Sequence, residues 1–285
     1  MKTEMNHQHT HSSWLAWTVF ICCLFLSLSS QAQTDTVVSK RIVNRSYQIG
    51  LGASDVLDTY LSRQKGTGVA LTGLIISESQ KIGSRWSSVF QNQLHFSINT
   101  DRNENGTITE ATYNFIFGRY HSWQFMGGNL RVQAGPAAVV GLGMLNNDRS
   151  NANNPAQARL SLNIMPSGIV TWRFPLFKRY WALRYEVELP LVGIMFSPNF
   201  GQSYYEIFGR GNYDHNIVPT TFLSAPTFRQ QLTLNYNIGR TTTLSLGYLG
   251  DYQQARVNNL KQHVISHNVM LGIVKRFQTI HHRPK

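Results

Sequence analysis

Arg184, Glu186 and Glu188 recur at every second position of the segment 181–191, WALRYEVELPL. On an extended chain alternate side chains share a face, so one cation and two carboxylates would converge there. Such a set can bind a ligand or select ions, or it can neutralise itself and fill space. Arg131 and Arg159 occupy comparable alternating segments and are candidates for the same charged set. A second candidate group is Ser203, Tyr204, Tyr205 and Glu206, within SPNFGQSYYEIF at 197–208. These hydroxyls, rings and carboxylate suit a sugar or lipid headgroup. The plainer expectation is a loop pinned against the rest of the fold.

Other chemistry finds little support. The histidines beyond the amino-terminal region are His95, His121, His215, His263, His267, His281 and His282. Ser266 and His267 are adjacent, and neighbours on a strand point to opposite sides, so they form no local nucleophile–base pair. Both cysteines, Cys22 and Cys23, fall inside an apolar run near the amino terminus. Removal of that run leaves no disulfide, thiol nucleophile or thiolate metal ligand. No phosphate-binding loop, paired-cysteine site or HExxH motif occurs, so no catalytic residue, metal or cofactor is expected. Lys+Arg number 26 against 14 Asp+Glu, a formal charge of +12, yet the basic residues are dispersed. That pattern suits lipid phosphates and acidic glycans better than nucleic acid.

The elements that must position these residues are legible from patterning. The chain has 285 residues, of which 14% are charged and 12% aromatic. It lacks the several apolar runs of about 20 residues that a polytopic helical protein needs. Its aromatic content argues against disorder. The run WLAWTVFICCLFLSL at 14–28 follows Lys2 and precedes Ser30-Gln31-Ala32. It reads as an export signal cleaved after Ala32. Neither cysteine has the small preceding residue that lipidation requires. Residues 33–44 are then an amino-terminal periplasmic segment.

Beyond the signal, hydrophobicity alternates with period two. In 181–191, Trp181, Leu183, Tyr185, Val187, Leu189 and Leu191 oppose the charged set. In 90–98, Phe90, Leu94, Phe96 and Ile98 oppose Gln91, Gln93, His95 and Ser97. The pattern returns in 109–117, 130–142, 158–164, 232–238 and 244–252. It predicts strands with one apolar and one polar face. Periodicity alone allows a soluble sandwich or a barrel with lipid outside. The length of 128–143, 179–195 and 262–277 favours the barrel, since about 9–11 residues cross a bilayer. Trp86, Tyr120, Trp172, Tyr180 and Trp181 near strand ends suit interfacial girdles.

The predicted fold is an all-β, antiparallel, up-and-down transmembrane β-barrel over 45–277, with a polar tail at 278–285. Twelve strands are expected, near 45–53, 67–78, 86–99, 107–120, 128–143, 157–174, 179–195, 202–209, 217–224, 228–238, 241–254 and 262–277. Omitting 202–209 and 217–224 gives a ten-strand alternative. With the first strand running outward, the polar connection 144–156 falls outside and the short 175–178 and 239–240 connections fall inside, as in outer-membrane barrels. Asn105-Gly106 reads as a hairpin turn.

From about Ser46 to Phe277 the chain resembles a family of uncharacterised outer-membrane barrels of Gram-negative anaerobes, catalogued as a domain of unknown function. LDTYLS at 57–62, ELPLVGIMFSPNFGQSYYEIF at 188–208 and HNVMLGIVKRF at 267–277 carry the resemblance. Arg63-Gln64 departs from it, where a proline is expected. The resemblance implies a fold and an outer-membrane location, with no activity attached. The resulting expectation is a non-enzymatic barrel with a narrow, side-chain-plugged lumen. The alternatives are a barrel enzyme acting on lipid or lipopolysaccharide, and a small-solute channel. Expected partners are outer-membrane lipids, lipopolysaccharide and, during biogenesis, the barrel-assembly machinery.

Overall fold

The computed structural model describes residues 36–148, 156–239 and 241–284, with side chains between Lys40 and Thr279. The export signal, most of the 144–156 connection, Arg240 and the side chains of His281 and His282 lie outside the described residues. The strands are β1 (Thr36–Asp58), β2 (Ser62–Lys81), β3 (Trp86–Asp101), β4 (Thr107–Phe125), β5 (Leu130–Asn147) and β6 (Ala156–Leu176). They continue with β7 (Arg179–Glu188), β8 (Val192–Phe196), β9 (Ile217–Thr221), β10 (Phe228–Asn237), β11 (Thr242–Val257) and β12 (Leu260–Pro284). Residues Lys40–Thr279 form one compact unit; the extended ends belong to a second, small one.

Ten strands close into an antiparallel barrel: β1 to β7 in order, then β10, β11 and β12, which returns beside β1. The predicted ten-strand alternative describes this ring. β8 and β9 lie outside it. β8 pairs with β6 over Ser161–Ile164, just beyond the β6–β7 ladder, and β9 pairs with β8. The predicted strand 179–195 therefore breaks at Leu189-Pro190-Leu191. Pro190 has no N–H to donate, while Leu189 and Leu191 still donate to Pro166 and Ile164 of β6.

Four further expectations need correction. Residues 202–209 are not a strand: Tyr205–Gly209 form one wide helical turn. β1 begins at Thr36, so most of the segment 33–44 is strand, and β12 runs to Pro284 through the predicted polar tail. Tyr120 is fully buried and faces inward. Its even position puts it with Thr112, Asn114 and Ile116, and its ring lies over Gly118, where a Cβ would come within 2.4 Å.

The sidedness of the sheet is the reverse of a soluble sandwich. On β3, Leu94 is 61% exposed on the outer face while Gln91 and Gln93 are 0% exposed. The same inversion holds for Leu51, Val69, Leu142, Ile164, Leu246 and Val269 outside, and for Glu110, Gln133, Glu186 and Asn268 inside. Water would expel such an outer face; a hydrocarbon surround stabilises it, and a closed ring leaves no unpaired edge within the lipid.

Aromatic rings flank the apolar band. At one end His121 packs on Trp86 and Trp123, with centroids 5.1 and 4.6 Å away, and the Arg119 guanidinium lies 5.7 Å from the Trp86 ring. Toward the other end Tyr248 meets His267 Nδ1 at 2.6 Å, and Phe228 packs near Tyr252. The first end carries the short connections 82–85, 126–129, 177–178 and 238–241 and is called the inner end. The opposite, outer end carries the longer connections 148–155 and 197–216.

Candidate functional site

Alternation delivers every second side chain of the ten strands to one interior. Its middle is braced from wall to wall. Arg229, on β10, faces β3 across the ring. Its Nε donates to Gln93 Oε1 at 2.9 Å, Nη2 donates to Gln91 Oε1 at 3.2 Å, and Nη1 pairs with Glu188 Oε1 at 3.1 Å. Gln91 donates to both Glu186 and Glu188, and Gln93 donates to Asp251 at 2.8 Å. Arg184 pairs with Glu186 at 2.7 Å and with Glu78, across the ring on β2, at 3.6 Å. Arg131 reaches the same Glu78 at 3.0 Å.

An apolar layer packs into the same interior. Leu74, Ile76, Val89, Tyr120, Ile169, Leu249 and Met270 form one buried cluster, and Tyr120 Oη donates to Ser167 Oγ at 2.9 Å. The interior is thus filled by carbon as well as by paired charge, which the alternating pattern did not reveal.

Toward the outer end the braces form a second network. His95 Nδ1 lies 2.8 Å from Thr72 Oγ1, its Nε2 lies 3.4 Å from Glu110 Oε2, and Arg159 stands 4.0 Å from Glu110. Thr72, His95 and Thr112 share one cross-strand row. A hydroxyl, an imidazole and a carboxylate in series are the parts of an activated nucleophile. Access is what is lacking: Thr72 and Glu110 are fully shielded and His95 is 4% exposed. An attacking hydroxyl must meet its substrate, so the arrangement acts as a polar brace. Ser266 points inward and His267 outward, as their adjacency requires.

Two cavities interrupt the filling. A small one of about 90 Å³ lies in the outer half, bordered by Arg159, Glu188, Arg229 and Asp251. A larger one of about 640 Å³ occupies the inner half, floored by Glu78, Arg131 and Arg184. Tyr180, predicted for the interfacial girdle, lines this inner cavity instead.

The loop candidates hold one another. Ser203 N–H donates to Glu206 Oε2 at 2.9 Å, and Glu206 N–H donates to Ser203 Oγ at 3.2 Å, a reciprocal cap on the helical turn. Tyr204 Oη accepts the Ala158 N–H at 2.7 Å and donates to Gln157 at 3.1 Å, tying the loop to β6. Its ring stacks with those of Phe196 and Phe208. Tyr205 is exposed, with the Arg210 guanidinium 5.5 Å from its ring.

Arg131, Arg159, Arg184, Glu186 and Glu188 therefore all face the interior, on three strands. The bracing residues that sequence reasoning left out are Glu78, Arg229 and Asp251. Extending the alternation of β10 back from Thr233 through Gln231 to Arg229 is the signal that places Arg229 inside.

A closed antiparallel barrel with an apolar outer wall and a cross-braced polar interior is the class of protein that fold and site define. Within that class, the chain belongs to the family described as "Protein of unknown function (DUF3316)", whose match spans residues 17–284. None of the curated proteins matches it. Similar solved structures are outer-membrane barrels. The transport unit of the autotransporter AIDA-I from Escherichia coli is 10% identical, with a TM-score of 0.40, over 95% of this chain and 100% of that one. The outer membrane protease OmpT from Escherichia coli is 8% identical, with a TM-score of 0.38, over 87% and 99%. Neisserial surface protein A is 9% identical, with a TM-score of 0.37, over 83% and 97%.

Proposed function

We propose that this protein is an outer-membrane barrel whose lumen is closed by its own side chains, and that it serves as a structural or surface component of the envelope. The observation that carries this is the brace spanning the ring: Arg229 joined to Gln91 and Gln93, and Arg184 joined to Glu78. Each charge of that brace has a partner, so none of them must be held alone in a confined interior. Partnered side chains stay in place and obstruct water. The inverted polarity of the wall supports residence in lipid, and the longer connections at the outer end support an orientation with that end facing the exterior. Lipopolysaccharide and membrane lipid are then its immediate partners, and the assembly machinery of the membrane inserts it.

The experiment is single-channel recording of the purified protein in a planar bilayer. The wild type is expected to carry no steady current. Glu186→Ala with Glu188→Ala strips partners from Arg184 and Arg229, and is expected to give small, anion-favouring openings. A large, stable wild-type conductance would overturn the plugged reading and make the barrel a pore.

A further inference from the structure

The inner half of the lumen is not filled. Its cavity of about 640 Å³ is within the range of small-ligand sites. Four arginines line it, Arg131, Arg173, Arg184 and Arg276, against one carboxylate, Glu78. Glu78 and Glu186 neutralise the floor, where they pair with Arg131 and Arg184. Among the described residues no carboxylate pairs with Arg173 or Arg276, which stand nearer the inner mouth. Arg173 Nη1 donates to the Gly128 carbonyl at a long 3.5 Å. The buried Nε of Arg131 has no acceptor. The cup therefore holds two uncompensated guanidiniums above a floor that is already balanced. Asn44, Gln124, Asn235 and Asn237 line the same cavity and carry hydrogen-bond donors.

We propose that this inner cup is a binding site for a phosphate-bearing ligand. The two mouth arginines would hold the phosphate, and the asparagine and glutamine side chains would hold the rest. A phosphate monoester carries close to two negative charges near neutral pH, which matches the surplus of two cations. Its oxygens accept the paired N–H groups of a guanidinium, a geometry a single carboxylate satisfies with half the charge. The cup opens at the inner end of the barrel axis, where a soluble phosphorylated molecule or the headgroup of an inner-leaflet lipid has access. The site lies on the near side of the central brace, so it does not depend on whether the lumen conducts.

The test is titration calorimetry on the folded barrel in neutral detergent, with inorganic pyrophosphate as the soluble probe and phosphatidic acid in mixed micelles as the lipid probe. Saturable one-to-one binding of either is expected, weakening with added salt and absent with acetate. Arg173→Gln with Arg276→Gln is expected to weaken it at least about tenfold, the magnitude of one lost charge-assisted bond. Arg45→Gln with Arg119→Gln removes two outward-facing cations near the same end and is expected to leave it unchanged. The probe that binds identifies the source of the phosphate. If circular dichroism shows the double variant unfolded, Arg276→Gln alone, at the mouth, is read in its place. Failure of both probes to bind wild type, or binding that the mouth variants leave intact, overturns the proposal. Either result leaves the conductance expectation standing, because the brace is untouched.

Discussion

At the scale of single residues, Arg229 is the most demanding position. It is 5% exposed and bonded to three side chains from two other strands. Arg229→Gln would leave Glu188 buried without its cation, and breaking a buried pair from one side costs about 3–5 kcal/mol. The expected outcome is a lowered unfolding midpoint in urea, measured in detergent, with part of the loss restored by adding Glu188→Gln. Tyr204 gives a pH signature. Burial pushes its phenol up to about 12 from 10.0, against the opposing pull of the Ala158 N–H. The folded state favours the neutral phenol, so this share of stability is intact below pH 10 and is lost as pH climbs toward about 12. An ultraviolet tyrosinate titration is expected to lose one of its late-ionising groups in Tyr204→Phe. If the group lost in the variant ionises near the ordinary 10.0 instead, the loop is not docked on β6 as described.

At the scale of elements, the turns and the lipid face make separate predictions. The β6–β7 hairpin turns on Phe177 and Lys178, at φ of 51° and 59°, a left-handed pair that favours Asn-Gly. The β11–β12 hairpin meets the same requirement with Asn258 and Asn259, at 49° and 60°. Replacing Phe177-Lys178 with Asn-Gly is expected to stabilise the barrel by about 1 kcal/mol, read as a higher melting temperature. On β3, Leu94→Arg places a charge on the apolar band and is expected to cost about 2–4 kcal/mol in lipid vesicles if Leu94 lies near the midplane. A neutral result would mean that this face does not meet hydrocarbon. The alternating segments were legible as elements because period two needs only local sequence. The helical turn at Tyr205–Gly209 was not: its Ser203–Glu206 cap is a helix-start signal set within a run of aromatic residues that also suits a strand.

At the scale of the whole molecule, the outer wall and the closed ring together require a membrane. Fractionation is expected to find the protein in the outer membrane, resistant to a high-salt wash and released by detergent. Recovery in the salt-washable periplasmic fraction would contradict the lipid-facing wall. Closure also explains the strand count. β9 was read from the sequence as 217–224 and β8 only as the end of the single strand 179–195, and neither adds a stave to the ring, because β8 follows β7 along the same edge of β6.

The sequence by itself determined the period of the faces, and so which residues travel together: Arg184 with Glu186 and Glu188, Gln91 with Gln93 and His95. It also determined that the inner-end connections are short. Alternation has no sign, however. The same string is a sandwich with its apolar face inward or a barrel with that face outward, and only closure of the ring decided between them. Tertiary structure also decided who meets whom inside. Arg229 and Gln91 are 138 positions apart in the chain, and their contact depends on ring size, strand tilt and stagger. Those quantities are set by all the strand registers at once, so no single segment of the sequence contains them.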